Sequence, residues 1–355
     1  MSTSTPELRG SPAVLAENLY LFVRAPPARF ARSYGEAICV PPSITAFNLP
    51  LDMSTNELCR PHPRYRLRTG ISWSQQLVKS LLRIFPKVLK PSLFEILIKT
   101  SSLFGKSPYH NIFRLPFNLV LKTSNHLVEA DALRFVGSLR GINAPALIDS
   151  FSAPQKTYIL STWVEGDCCA DVWERLTPLD KEKIVEDMRS QYSALQQQTS
   201  TRHRTICNAS GGAIQDPRVP WIDDNPRTFP SYREFMEQVW LGLNFRNNHT
   251  LAQSIARLIE RDNVPIVFSH GDALPKNLIL PGGLDLWRRE RPPLYIIDWE
   301  YAGWMPLPWE ALKATWLVFD KEEDCYKMMV EVFPDSREEL AADWEWRTRS
   351  GIPIV

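Results

Sequence analysis

Apolar residues recur at helical spacing from Trp73 to Phe104. Leu77, Leu81, Leu82, Ile84, Phe85, Val88 and Leu89 come first; after an interruption at Pro91, Leu93, Ile96, Leu97 and Leu103 resume the pattern. Lys79, Arg83, Lys87, Lys90 and Lys99 are interleaved with them. We read the stripe as a core face with a solvated rim rather than a membrane-surface helix pair. A strand follows in Phe117–Lys122, then a helix over Val128–Val136. Pro145–Asp149 and Thr157–Ser161 read as two more strands around a turn. After Gly166 the pattern becomes helical: Trp173, Leu176, Ile184, Met188, Tyr192 and Leu195, with Pro178 and Asp180 marking a start. Tyr232–Trp240 and Leu251–Ile259 read as further helices. A strand-rich first half before a helical second half predicts an α+β chain with two lobes of different class, divided at about 161/162. Residues 1–67 carry repeated prolines without periodicity and read as a poorly ordered or loosely packed extension, and there is no internal repeat.

Composition narrows this picture only slightly. The 355 residues suffice for two lobes, each with its own core. A net charge of +1 gives no global argument for a nucleic-acid partner, so any basic site must be local. The six cysteines form no Cys-x-x-Cys pair and suit neither a zinc site nor a disulfide framework. With no signal-like start and no apolar run long enough to span a bilayer, a reducing, cytoplasmic setting is expected.

The chemistry concentrates in two short segments. An apolar run, Val264–Phe268, delivers His270-Gly271-Asp272, and Asn277 follows five residues after Asp272. Twenty-one residues beyond Asn277, the run Leu294–Ile297 delivers Asp298, followed by Trp299 and Glu300. Strand ends of this kind bring an acid, an amide and a second acid around one loop. Phosphoryl transfer asks for that set: a carboxylate to orient a hydroxyl and accept its proton, and hard oxygen ligands for magnesium.

His-Gly-Asp with Asn five residues on, then Ile-Asp-Trp-Glu, resembles the aminoglycoside phosphotransferase family, relatives of the protein kinases. The continuation Tyr301-Ala302-Gly303-Trp304-Met305-Pro306-Leu307-Pro308-Trp309-Glu310 looks like the branch abundant in filamentous fungi. The resemblance implies a protein-kinase-like two-lobe fold, with an N-terminal antiparallel sheet, a mainly helical C-terminal lobe and ATP between them. It implies Asp272 as catalytic base, Asn277 and Asp298 as magnesium ligands, and His270 as a structural tie. Glu300 either assists the metal or supports the loop. Lys122 and Glu129 would form the ion pair that grips the nucleotide phosphates. Tyr158–Gly166 resembles the hinge, with adenine on backbone groups of Thr162 and Val164. Gly211–Arg218 and Phe229–Phe235 resemble the same branch on the acceptor side. The implied partners are ATP, Mg2+ and a small-molecule hydroxyl acceptor.

One departure bears on activity. The stretch Gly105–Asn111, where kinases have a glycine-rich phosphate loop, offers one glycine and a proline. A catalytically inactive kinase-like binding or regulatory protein is therefore the alternative, opposed by the intact Lys122, Asp272, Asn277 and Asp298. A metal-dependent hydrolase built on His270, Asp272 and Asp298 lacks the paired histidines such a site draws on.

Overall fold

Ser72 opens the first helix with a reciprocal cap. Its hydroxyl accepts from the Gln75 amide at 3.3 Å, while Gln75 Oε1 accepts from the Ser72 amide at 2.8 Å. In the computed structural model, which describes residues 70–104, 110–200, 205–240 and 249–349, this helix is α1 (Trp73–Ile84). A short 3-10 turn at Lys87–Leu89 leads to α2 (Lys90–Thr100). The break therefore falls at Pro86 and not at the expected Pro91. Pro91 sits in the first turn of α2, where a missing N–H leaves no bond unmade. The extension expected over 1–67 and the first five residues of the phosphate stretch, 105–109, lie outside the described residues.

Four strands follow: β1 (Ile112–Leu115), β2 (Leu119–Ser124), β3 (Leu147–Ala153) and β4 (Lys156–Thr162). They form an antiparallel sheet in the order β1-β2-β4-β3. The expected Phe117–Lys122 strand is displaced. Phe117 and Asn118 make the β1–β2 turn at φ 63° and 52°, and β2 runs on past Lys122 to Ser124. Gln75 Nε2 donates to both turn carbonyls, at 2.9 and 3.1 Å, and so fastens α1 to the hairpin. Leu82, Phe94, Leu119, Leu121, Ile148 and Leu160 fill the core between these helices and the sheet. Between β2 and β3 lies α3 (Val128–Val136), where the sequence places it.

The remaining described residues are mostly helical. After β5 (Gly166–Cys168), α4 (Pro178–Thr199) starts with Pro178 behind a Thr177–Asp180 capping box. β6 (Cys207–Asn208), α5 (Tyr232–Val239), α6 (His249–Ile259), β7 (Ile266–Ser269) and β8 (Leu278–Pro281) come next. α7 (Leu284–Glu290), β9 (Tyr295–Ile296), β10 (Gly303–Pro306), α8 (Trp309–Thr315), α9 (Asp324–Val332) and α10 (Arg337–Arg349) complete it. Two small antiparallel sheets, β6-β10-β7 and β5-β8-β9, are set among these helices. The described residues thus form a mixed α+β architecture with ten α-helices and three antiparallel sheets.

A second, larger core gathers Met188, Leu195, Phe268, Trp299 and Trp309 together with Leu133 and Val136 of α3. Phe135 packs its ring at a tilt against Phe268, with centroids 4.7 Å apart, so α3 is held by the helical part while it lies against the sheet. That double hold fixes the position of Glu129. At the far end, a buried ion-pair group anchors α10: Asp343 pairs with Arg218 and Arg347 and accepts from Trp240 Nε1 at 2.9 Å.

Candidate functional site

Lys122 stands in mid-sheet, paired with Ile112 of β1 and Ile159 of β4. Alternation sends Leu121 into the sheet core and turns Lys122 to the opposite face. The expected strand end at Lys122 is therefore corrected: the side chain is 13% exposed and its Nζ lies among three carboxylates. Asp298 Oδ1 is 2.5 Å away, Glu129 Oε2 2.9 Å and Glu300 Oε2 3.1 Å. The contacts to Asp298 and Glu300 are hydrogen bonds. Glu129 Oε2 is an ion-pair neighbour without an aligned hydrogen bond.

The charges in this cluster answer one another. Burial alone would lower the Lys122 ammonium, but Asp298, Glu129 and Glu300 outweigh it and hold it well above its usual value. Burial pushes Glu129 up to about 7 against the pull of Lys122. Burial likewise raises Glu300, helped by the negative charge of Asp298. Asp298 goes the other way, since Lys122 overcomes the burial that opposes ionisation.

The second group is built on the loop between β7 and β8. Asp272 Oδ2 accepts from Asn277 Nδ2 at 2.8 Å and pairs with Lys276 Nζ at 3.0 Å. Asn277 Nδ2 also donates to the Asp272 carbonyl, which leaves its amide oxygen without a hydrogen-bond partner among the described residues. His270 Nδ1 accepts from the Asp272 amide at 3.1 Å, so the proton sits on Nε2, which donates to the Ile297 carbonyl at 2.8 Å. The buried ring, pushed toward its neutral form by desolvation, stands edge-on to Trp299 at 4.7 Å. The Ile297 amide in turn donates to the Asn277 carbonyl at 2.9 Å. His270 and Asn277 thus tie the loop to the residue just before Asp298. Gly271 is required by space: at φ +79°, a Cβ there would lie 2.6 Å from the Tyr301 carbonyl. Asp298 itself holds φ 64°, an uncommon backbone for a side chain that is not glycine.

Glu310, to which the sequence reading gives no role, holds this loop from behind. Its carboxylate accepts from the His270 amide at 2.7 Å and the Gly271 amide at 3.1 Å. Burial drives its pKa up to about 7, against the two amides that favour the charged form. The Trp-Glu pair was visible in the sequence, but nothing local to it points 40 residues back.

The segment likened to a hinge begins at the end of β4, where Thr162 faces Leu119 of β2. The Thr162 amide already donates to the Ala146 carbonyl at 3.0 Å and its hydroxyl accepts from the Ala146 amide. The Val164 amide has no partner among the described residues. In the segments likened to an acceptor side, three residues are buried in packing. Arg218 is buried against Asp343, and Phe229 and Phe235 sit in the core, with Phe235 4.9 Å from Trp309.

No protein-family model and no curated protein matches the chain. Among solved structures, the chain is similar to a 2.2 Å crystal structure of WbdD, at 13% identity and a TM-score of 0.32. The match covers 70% of this chain and 50% of that one, so the chain spans about half the length of that structure. A likeness of this size carries no argument, and the functional reading rests on the geometry above.

Proposed function

We propose that the chain is an ATP- and magnesium-dependent phosphotransferase of the aminoglycoside phosphotransferase type, with a protein-kinase-like fold, acting on a hydroxyl of a small molecule. The observation that carries the reading is the meeting of Lys122 and Asp298 at 2.5 Å, two residues 176 positions apart, in a cluster completed by Glu129 and Glu300. A lysine drawn from a central strand to a helix glutamate and a distant aspartate is the arrangement phosphoryl transfer needs.

The chemistry of the donor set fits a hard divalent cation: oxygens of Glu129, Asp298 and Glu300, gathered around the Lys122 ammonium, lie within 4.8 Å of one another, and Asn277 adds an amide oxygen. Asp298 and the free amide oxygen of Asn277 would hold magnesium, with Glu300 beside them. When bound, the ion supplies positive charge against the phosphate oxygens. Asp272 would orient the acceptor hydroxyl and take its proton, with its Oδ2 kept in place by Asn277. Lys122 would turn from its carboxylates toward the nucleotide phosphates. The Thr162 carbonyl and the unpartnered Val164 amide would take the adenine edge.

The same cluster gives the second reading its support. With Lys122 already satisfied by three carboxylates, the chain could be an inactive, kinase-like binding or regulatory protein. Transfer of labelled phosphate from ATP to a panel of hydroxyl acceptors, with and without magnesium, separates the two. We expect Asp272→Asn to lower transfer about a hundredfold or more while leaving ATP binding nearly intact. Full turnover in that variant would remove Asp272 from the mechanism.

A further inference from the structure

α1 presents two different faces. Gln75, Lys79 and Leu82 face the sheet: Gln75 bonds the hairpin turn, Lys79 Nζ donates to the Leu147 carbonyl at 3.0 Å, and Leu82 enters the core. Trp73, Leu77, Leu81 and Ile84, spaced four, four and three residues apart, share the outer face, and Val88 continues their line into the following turn. All five are exposed, Trp73 at 76% and Val88 at 84%. A stripe of large apolar side chains held in water marks a contact surface.

The charge around the stripe says what it meets. Between residues 70 and 104 there are five basic residues, Lys79, Arg83, Lys87, Lys90 and Lys99, against a single acid, Glu95. Glu95 is taken by Lys156 at 2.9 Å and Tyr158 at 2.7 Å, and Lys90 by Asp149 at 2.6 Å. Arg83, Lys87 and Lys99 are exposed and have no ion-pair partner among the described residues. A second copy of this face could offer them no carboxylate.

We infer that the outer face of α1 docks on an anionic lipid bilayer, with Trp73, Leu77, Leu81, Ile84 and Val88 entering the headgroup boundary and the neighbouring Arg83 and Lys87 meeting lipid phosphates and carboxylates. An amphipathic helix with an apolar face, a tryptophan and flanking basic residues is the form that lies in a membrane interface. No helix among the described residues is long and apolar enough to cross a membrane, so the attachment is to the surface. The inference stands apart from the phosphotransferase reading and survives its failure.

The test is flotation of the full chain with vesicles of phosphatidylcholine alone or with about a third phosphatidylserine. The wild type should float with the anionic vesicles, not with the neutral ones, and should be released as salt is raised well above about 0.1 M, where charge attraction is screened over roughly 10 Å. The pair Leu77→Gln/Leu81→Gln and the pair Arg83→Glu/Lys87→Glu should each cut the bound fraction at least tenfold, with an unchanged melting temperature because these side chains are exposed. Absence of flotation, or flotation that both pairs leave intact, overturns the inference. So does self-association in sedimentation that Leu77→Gln/Leu81→Gln abolishes, which would give the face to a second copy. A Leu77→Cys thiol closed to a water-soluble maleimide in vesicle-free protein would also overturn it, by showing the face already covered.

Discussion

Glu310 shows how one side chain supports the loop without touching any reacting group. Two backbone amides of the His-Gly-Asp turn end on its carboxylate, and its pKa is pushed up from 4.5 to about 7 by burial. The folded protein therefore keeps a proton that the unfolded chain has lost in that interval. Stability from this group is full below about 4.5 and is lost as pH rises to about 7. Glu310→Gln should flatten that slope by on the order of 2–3 kcal/mol, leaving the part due to Glu129, which is raised in the same way. Urea unfolding at pH 5 and pH 8 measures it; parallel losses in wild type and variant would mean that Glu310 stays charged throughout. The motif residues themselves are legible because they are local: Asp272 and Asp298 follow short apolar runs that become β7 and β9, and Asn277 immediately precedes the run that becomes β8. Glu310 is not, because its partners are set by tertiary packing.

At the scale of the element, β2 carries the main correction. Phe117 and Asn118 adjoin the apolar run Leu119–Leu121 in sequence, but their positive φ values make them the turn. The strand consequently runs past Lys122, and a residue expected at the strand's end lies within it with its ammonium buried. α3 needed no correction, since its apolar spacing and the first-turn acids Glu129 and Asp131 both favour a helix starting there. Pro91 makes no break because proline, which disrupts a helix interior, suits the first turn. The energetic consequence follows from burial. Lys122→Met leaves Glu129, Asp298 and Glu300 close together with no cation, and removing one partner of a buried pair costs about 3–5 kcal/mol. We expect a matching fall in thermal stability, which millimolar magnesium partly restores by taking the place of the ammonium. Unchanged stability in Lys122→Met would show that the cluster is solvated and that the ion pairs contribute little.

Across the whole chain, the sequence conveyed the order of elements better than the contacts between them. A sheet-rich stretch before a helical one could be read from periodicity, and the mixed α+β architecture of the described residues agrees. The contact of Lys122 with Asp298 and the anchoring of α10 through Arg218 and Asp343 join residues 176 and 125 positions apart, which no local pattern encodes. The outer face of α1 was read as core because apolar spacing reports amphipathicity without reporting what lies opposite. The central claim is that the acidic cluster and Lys122 form a magnesium-nucleotide site. Thermal unfolding with ATP, with magnesium and with both tests it directly. A ligand that binds only the folded state at a hundredfold excess over Kd adds about 2.7 kcal/mol, a shift of a few degrees. The account predicts that shift for ATP with magnesium, a smaller one for either alone, and loss of the magnesium-dependent part in Asp298→Ala. No shift in the wild type at millimolar ATP and magnesium would contradict it.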